Sequence, residues 1–164
     1  MLNLINSEFE IKFAKAKDIP IILNFIKDLA KYEKLENEVV ATEQSLHDTL
    51  FGKKTFAEVL IASESGVEVG FALFFHNYST FLGKPGIYLE DLFVKEEFRG
   101  KGYGKALLTK LAKITVERNC GRLEWSVLDW NEPSIKFYKK LGAVPMEGWT
   151  VFRVDKDSLL NLAK

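Results

Sequence analysis

Two acidic residues, Glu90 and Asp91, stand together inside the otherwise apolar run of residues 87–94, IYLEDLFV. A carboxylate in a sheet strand needs a reason to be there, because acidic side chains are rarely buried without a partner. Desolvation would raise the pKa of Glu90 toward the range of a general base. The other reading is an ion pair with a nearby Lys or Arg. A few residues on, EFRGKGYGKALL (97–108) sets three alternating glycines before an Ala-Leu-Leu run. Glycine is expected where the backbone takes unusual angles or approaches something closely. A strand, a glycine turn and a helix start together make an anion site, since free N–H groups and the helix dipole both favour negative charge there. Two phosphate motifs fit it poorly. The P-loop requires four residues between its first glycine and Gly-Lys-Ser/Thr; Gly100 and Gly104-Lys105 leave three, and Ala106 stands where a hydroxyl is needed. The dinucleotide fingerprint requires G-x-G-x-x-G, whereas the order here is G-x-G-x-G.

The elements that must hold these residues follow from hydrophobic periodicity. Residues 8–14 alternate as a first strand, and Asp18 and Pro20 open a helix that fades near Lys34. Thr42 starts a second helix that ends near Gly52. Residues 56–63 and 67–77 read as two strands joined by a Glu-Ser-Gly turn. A loop over 78–86, a strand over 87–94 and a helix over 103–119 follow. Residues 122–128 form the next strand, and residues 131–141 a helix with Pro133 in its first turn and Gly142 at its stop. Short strands over 143–146 and 149–154 and a last helix capped by Asp155 complete the order. The class is α/β (α+β): a mixed central sheet flanked by helices in one domain, 1–164.

Bulk properties exclude several functions. The chain has 164 residues, 47% hydrophobic, with 23 basic and 23 acidic side chains. A zero balance leaves no large field of one sign to drive nucleic-acid or membrane binding. Cys120 is the only cysteine, so no disulfide forms within the chain. Residues 1–4 lead into a charged segment with no apolar signal core, and no run approaches a membrane span. The expected location is cytoplasmic. His47 and His76 lack metal-ligand spacing, and no metal site is expected.

The pattern Arg99-x-x-Gly102-x-Gly104 resembles the signature of the GNAT superfamily of acetyl-CoA-dependent N-acetyltransferases. Downstream, residues 131–142, NEPSIKFYKKLG, resemble the second signature of that family, in the same order and spacing. AKYEKLE (30–36), YLEDLFV (88–94), WNEPSIKFYKKLGA (130–143) and EGWTVFRVDK (147–156) look like its diamine branch, which includes spermidine/spermine acetyltransferases. The loop of residues 78–83, YSTFLG, carries hydroxyls where polyamine-specific members carry an acid. It looks more like the relatives that prefer thialysine.

The resemblance implies roles. Arg99, Gly100, Lys101, Gly102, Tyr103, Gly104 and Lys105 would form the pyrophosphate turn for coenzyme A, largely through backbone N–H groups. The backbone of Leu92, Phe93 and Val94 would hold the acyl thioester and offer an oxyanion donor. Asn131 and Ser134 would contact the pantetheine arm; as a plain N-cap, Asn131 would look the same. An alkyl ammonium must lose a proton before its nitrogen attacks. Glu90 would take that proton, through a water. Tyr138 would protonate the leaving thiolate, or pack on its helix as Phe137 does. Glu33 and Asp91 would supply negative charge for the amine, Trp149 a wall, and Ser79 and Thr80 hydrogen bonds to a polar tail. Each also has a plain reading, as surface charge, salt bridge, core or turn residue. The expected partners are a small-molecule amine and a second copy of the chain. A protein N-acetyltransferase and a non-catalytic acyl-CoA sensor are the competing functions.

Overall fold

The computed structural model describes residues 8–164, so the expectation for residues 1–4 lies outside the described residues. The chain divides into two compact units, one ending at Ser126 and the other spanning Val127–Lys164. The first holds a five-stranded mixed sheet in the order β1-β2-β3-β4-β5. The strands are β1 (Phe9–Phe13), β2 (Glu58–Glu64), β3 (Val67–Ser79), β4 (Lys84–Val94) and β5 (Leu123–Trp125). The first three junctions are antiparallel, and β4 pairs β5 in parallel. The Glu-Ser-Gly signal resolves into a two-residue turn, with Ser65 and Gly66 at φ 51° and 78°. Both lie in the left-handed region that suits strand twist at a tight hairpin.

Helix α1 (Ile19–Glu33) carries Pro20 in its first turn, where the missing N–H would have had no partner. Asp18 stands at its N-cap, but the Asp18 carboxylate accepts from the Lys15 backbone N–H at 2.8 Å. Thr42 caps α2 (Glu43–Leu46), which continues as a wider π turn over His47–Phe51. The apolar face of α1 packs on the sheet: Phe25 stacks on Phe71 at 5.2 Å and meets Phe93 edge-on at 6.3 Å. Helix α3 (Tyr103–Glu117) links β4 to β5 and buries Leu107, Leu108, Leu111 and Ile114. Along β3, residues alternate between the two layers. Phe71 and Leu73 pack in the α1 cluster, while Phe74 is buried under the Arg118 guanidinium at the end of α3.

Two irregularities shape the acidic end of β4. Its pairing with β5 covers only Ile87↔Leu123, Tyr88↔Glu124 and Leu89↔Trp125. The fifth strand is therefore shorter than the expected 122–128, and from Glu90 onward that edge of β4 has no partner strand among the described residues. The register with β3 also slips there. Leu73 faces Asp91 and Phe74 faces Leu89, so Glu90 is an extra residue, a β-bulge.

In the second unit, Asn131 caps α4 (Glu132–Lys140) by accepting the Ser134 N–H, and Gly142, at φ 88°, follows its end. Helix α5 (Lys156–Leu162) starts after Asp155, whose side chain makes no cap bond. The strands expected over 143–146 and 149–154 do not form: these residues are irregular. Val144, Met146, Trp149, Val151 and Phe152 are exposed. Alternation specifies a strand only when a neighbouring strand completes its ladder, and none is present in this unit.

Candidate active site

The bulge sets which acid faces which layer. In an uninterrupted strand Glu90 would oppose Leu73 on the α1 side. With one residue inserted, Asp91 takes that place instead. Glu90 is exposed and Asp91 partly buried. The more buried carboxyl is thus Asp91, where the expectation had placed burial at Glu90. Burial, followed by repulsion from Glu90 and Glu33, raises Asp91 from an ordinary 3.8 to about 6. Glu33, from the last turn of α1, is also raised by burial. No ion pair to Lys or Arg forms at Glu33, Glu90 or Asp91 among the described residues, so the salt-bridge reading of this acidic pair is not what the fold provides. The cations that follow on the chain are turned to rings: the Lys95 ammonium lies 5.5 Å from the Phe25 centroid and Arg99 4.6 Å from that of Tyr32. The result is a negative pole at the point where β4 loses its β5 partner.

At the other end of that unpaired stretch is the glycine turn. Gly100 and Gly102 sit at φ 80° and 90°, and a Cβ added at either would meet nothing within 4 Å. The angle, not crowding by the protein, requires glycine here. Gly102 is the N-cap of α3, with no side-chain cap and no acidic residue in the first turn. The Ala106 N–H bonds to the Gly102 carbonyl, but the N–H groups of residues 100–105 find no acceptor among the described residues. Such a cradle of free donors at a helix N-terminus fits a pyrophosphate.

The side chains in the turn do other work. Arg99 stacks on Tyr32, lies 5.5 Å from the Phe93 centroid and donates from Nε to the Val94 carbonyl at 2.9 Å. It ties the end of β4 to α1, a contact that the spacing of residues 32 and 99 does not reveal. Lys101 pairs with Glu64 at 3.0 Å. Tyr103 is buried, stacks on Phe9 at 4.6 Å and donates its hydroxyl to Glu64. Burial, reinforced by that bond, pushes the Tyr103 phenol up to about 12. Lys101 and Tyr103 therefore offer a ligand their backbone N–H groups, and their side chains are already engaged. Lys105 is exposed and has no ion-pair partner among the described residues.

Leu92, Phe93 and Val94 form the end of β4 along the unpaired edge. Phe93 is buried in the α1 cluster, so its backbone is what it can present. Ser79 and Thr80 are elsewhere. Ser79 is buried at the far end of the β3–β4 hairpin and accepts the Leu82 N–H at 3.3 Å. Ser79 lies six residues along β3 from Leu73, the partner of Asp91, which is about 20 Å at roughly 3.4 Å per residue. Within one copy of the chain, the hydroxyls and the acidic pole do not reach the same small molecule.

In the second unit, Tyr138 is partly buried on α4 with its ring 5.4 Å from that of Phe137. Asn131 is buried and holds the helix start, as the plain N-cap reading has it. Ser134 contributes its N–H to that cap. Trp149 is exposed, which removes the core reading.

Comparison with known proteins bears on the whole arrangement. The acetyltransferase (GNAT) family pattern matches residues 25–143. Thialysine N-epsilon-acetyltransferase of Bos taurus is 37% identical, over 93% of this chain and 96% of its own. L-ornithine N5-acetyltransferase NATA1 of Arabidopsis thaliana is 34% identical, over 94% of this chain and 87% of its own. Among solved structures, an integron cassette protein from the mobile metagenome of V. cholerae superposes with a TM-score of 0.82. It is 29% identical and matches 97% of this chain and 99% of that one.

Proposed function

Because the chain belongs to the acetyltransferase (GNAT) family, we propose that it transfers an acetyl group from acetyl-CoA to a primary amine of a small molecule. The acceptor is a diamine, a polyamine or a lysine-like amino acid of the thialysine or ornithine kind. One observation carries the reading: the unpaired edge of β4 begins at an acidic pole and ends near an open helix N-terminus. A cationic amine is drawn to the first and an anionic pyrophosphate to the second. Leu92, Phe93 and Val94 lie between them.

Acetyl-CoA supplies an activated acyl thioester. The N–H groups of the 100–105 turn hold its pyrophosphate, and Arg99 fixes the strand end from which that turn departs. Backbone donors at Leu92–Val94 orient the thioester carbonyl. Glu33, Glu90 and Asp91 attract and align the ammonium. For the second unit the proposal rests on family resemblance: Tyr138 gives a proton to the departing thiolate, Asn131 and Ser134 border the pantetheine arm, and Trp149 walls the acceptor. The same proposal takes both units as one catalytic domain, because the family pattern runs through both. It also takes the protein as a cytoplasmic homodimer, in which Ser79 and Thr80 of one copy serve the acceptor site of the other. No helix among the described residues is long and apolar enough to cross a membrane.

The test is thiol release from acetyl-CoA by purified protein with thialysine, lysine, ornithine, putrescine, spermidine, spermine and a lysine peptide. Turnover with a small amine is expected, and the ranking fixes the acceptor class. Acetyl-CoA binding without turnover on any member would overturn the catalytic reading in favour of a sensor.

A further inference from the structure

We propose that Glu64, at the end of β2, is a positioning residue for the cofactor. Through Tyr103 it holds the turn of residues 100–105 in the conformation that receives the pyrophosphate of coenzyme A. The inference rests on the acetyl-CoA reading and deepens it at that turn.

The turn has little else to lean on. Gly100 and Gly102 stand in the left-handed region with open space around them, and glycine loses the most conformational freedom when it is fixed. As N-cap of α3, Gly102 has no side chain to offer the helix. The anchors are the side chains that alternate with the glycines. Arg99 ties the entry of the turn to β4 and to α1. Lys101 and Tyr103 both reach the Glu64 carboxylate, one to each oxygen. The Lys101 ammonium lies 3.0 Å from Oε2, and the Tyr103 hydroxyl donates to Oε1.

Tyr103 is gripped at two points. Phe9 and Glu64 are register partners on β1 and β2, so their side chains leave the same face of the sheet. The Tyr103 ring stacks on Phe9 at 4.6 Å, with the planes 9° apart, while its hydroxyl reaches Glu64. Stacking sets the plane of the ring, and the hydrogen bond sets its direction within that plane. Tyr103 is the first residue of α3, so its side chain fixes the helix start and the N–H groups around it. Glu64 is itself held, with its backbone paired to Phe9 on one side and Val67 on the other.

The charge of Glu64 points the same way. A carboxylate bonded to two residues of an anion site opposes the anion, so simple electrostatics disfavours it there. The ion pair with Lys101 is open to solvent on the lysine side and contributes little. The bond from the buried Tyr103 is charge-assisted and is the stronger tie. A turn already set for its ligand loses less freedom on binding.

The test is acetyl-CoA titration, read beside melting temperature and kinetics. Glu64→Ala should weaken acetyl-CoA binding by about 10-fold. The KM for acetyl-CoA should rise with it, while kcat at saturating acetyl-CoA stays within about twofold. Glu64→Gln should recover most of the affinity, because its amide oxygen still accepts from Tyr103 although the charge is gone. Tyr103→Phe keeps the stack on Phe9 and should weaken binding nearly as much as Glu64→Ala, and the double variant no further. If Glu64→Ala does not fold, Tyr103→Phe decides: weaker binding supports the assignment and unchanged binding removes it. S-acetylpantetheine, a donor without the pyrophosphate, separates positioning from general damage. Its kcat/KM should be equal in wild type and Glu64→Ala; if it turns over too slowly to compare, the double-variant cycle decides. Unchanged or tighter binding in Glu64→Ala, as charge repulsion alone would give, overturns the assignment. So do additive losses, a Glu64→Gln as weak as Glu64→Ala, or an equal fall with both donors. A wild type that does not bind acetyl-CoA overturns the acetyltransferase reading instead, and the two failures are thereby told apart.

Discussion

At neutral pH Asp91 carries its charge where burial and two other carboxylates oppose it. A carboxyl raised from 3.8 to about 6 disfavours the folded state at pH 7 by about 3 kcal/mol. The folded protein binds the proton more tightly than the unfolded chain, so this penalty is absent below about pH 4 and grows as pH rises toward 6. Asp91→Asn should therefore melt higher than wild type at pH 7 and show little advantage at pH 4, as thermal unfolding at the two pH values would reveal. A gain in stability joined to a loss of turnover is the mark of a strained functional group. The pairing of Glu90 with Asp91 was legible because charges inside an apolar strand stand out. Which one faces inward was not, since nothing in Leu-Glu-Asp-Leu signals a bulge. Tyr103 shows the same limit: it lies in a ligand-binding motif, yet its partner Glu64 is 39 residues earlier.

Two glycines near the site work for different reasons. Gly102 needs a left-handed angle and has open space around it; Gly70 is crowded, since a Cβ there would stand 2.6 Å from the Phe93 carbonyl oxygen. Gly70 faces Val94 across the β3–β4 ladder. Gly70→Ala should push these strands apart, destabilise by about 1–3 kcal/mol and weaken acetyl-CoA binding by displacing the end of β4. Gly102→Ala should strain the backbone by about 1–2 kcal/mol and weaken acetyl-CoA binding at the helix start. Melting temperature and acetyl-CoA titration measure both. Elements set by local pattern, such as α1, α3, α4 and the β2–β3 hairpin, were readable from the chain. The glycine turn was readable because its angles demand a residue type. The early end of β5 was not, because separation of two strands is a property of their packing. Residues 143–154 alternate convincingly, but a strand is defined by its neighbour.

Among the described residues of the first unit, the ion pair that spans most sequence joins Glu58 on β2 to Arg118 at the end of α3, at 2.5 and 2.8 Å. The Arg118 hydrogen bond holds Glu58 below its ordinary 4.5, outweighing its partial burial. A lowered carboxyl stabilises the fold above its unfolded pKa, and that stabilisation is lost as pH falls through the folded value. Glu58→Gln should be less stable than wild type at pH 7 and should lose that disadvantage as pH falls through the lowered carboxyl value, in denaturant titrations over a series of acidic pH values. Composition bounded the molecule well: equal numbers of acids and bases suit an enzyme that concentrates charge locally, at one acidic pole and one helix end. It carried no sign of a division at Ser126, since no linker composition marks it. The extra residue in β4 has one more consequence. Side chains on a strand are read in pairs of in and out, and a single insertion shifts the reading frame of all residues beyond it. Deleting Leu92 would take up the extra residue from the other side: Phe93 would keep its place opposite Phe71, while Glu90 would come to oppose Leu73 and Asp91 to oppose Ala72. A descendant of this chain could thus change which acid meets its substrate by length alone, without altering either acid.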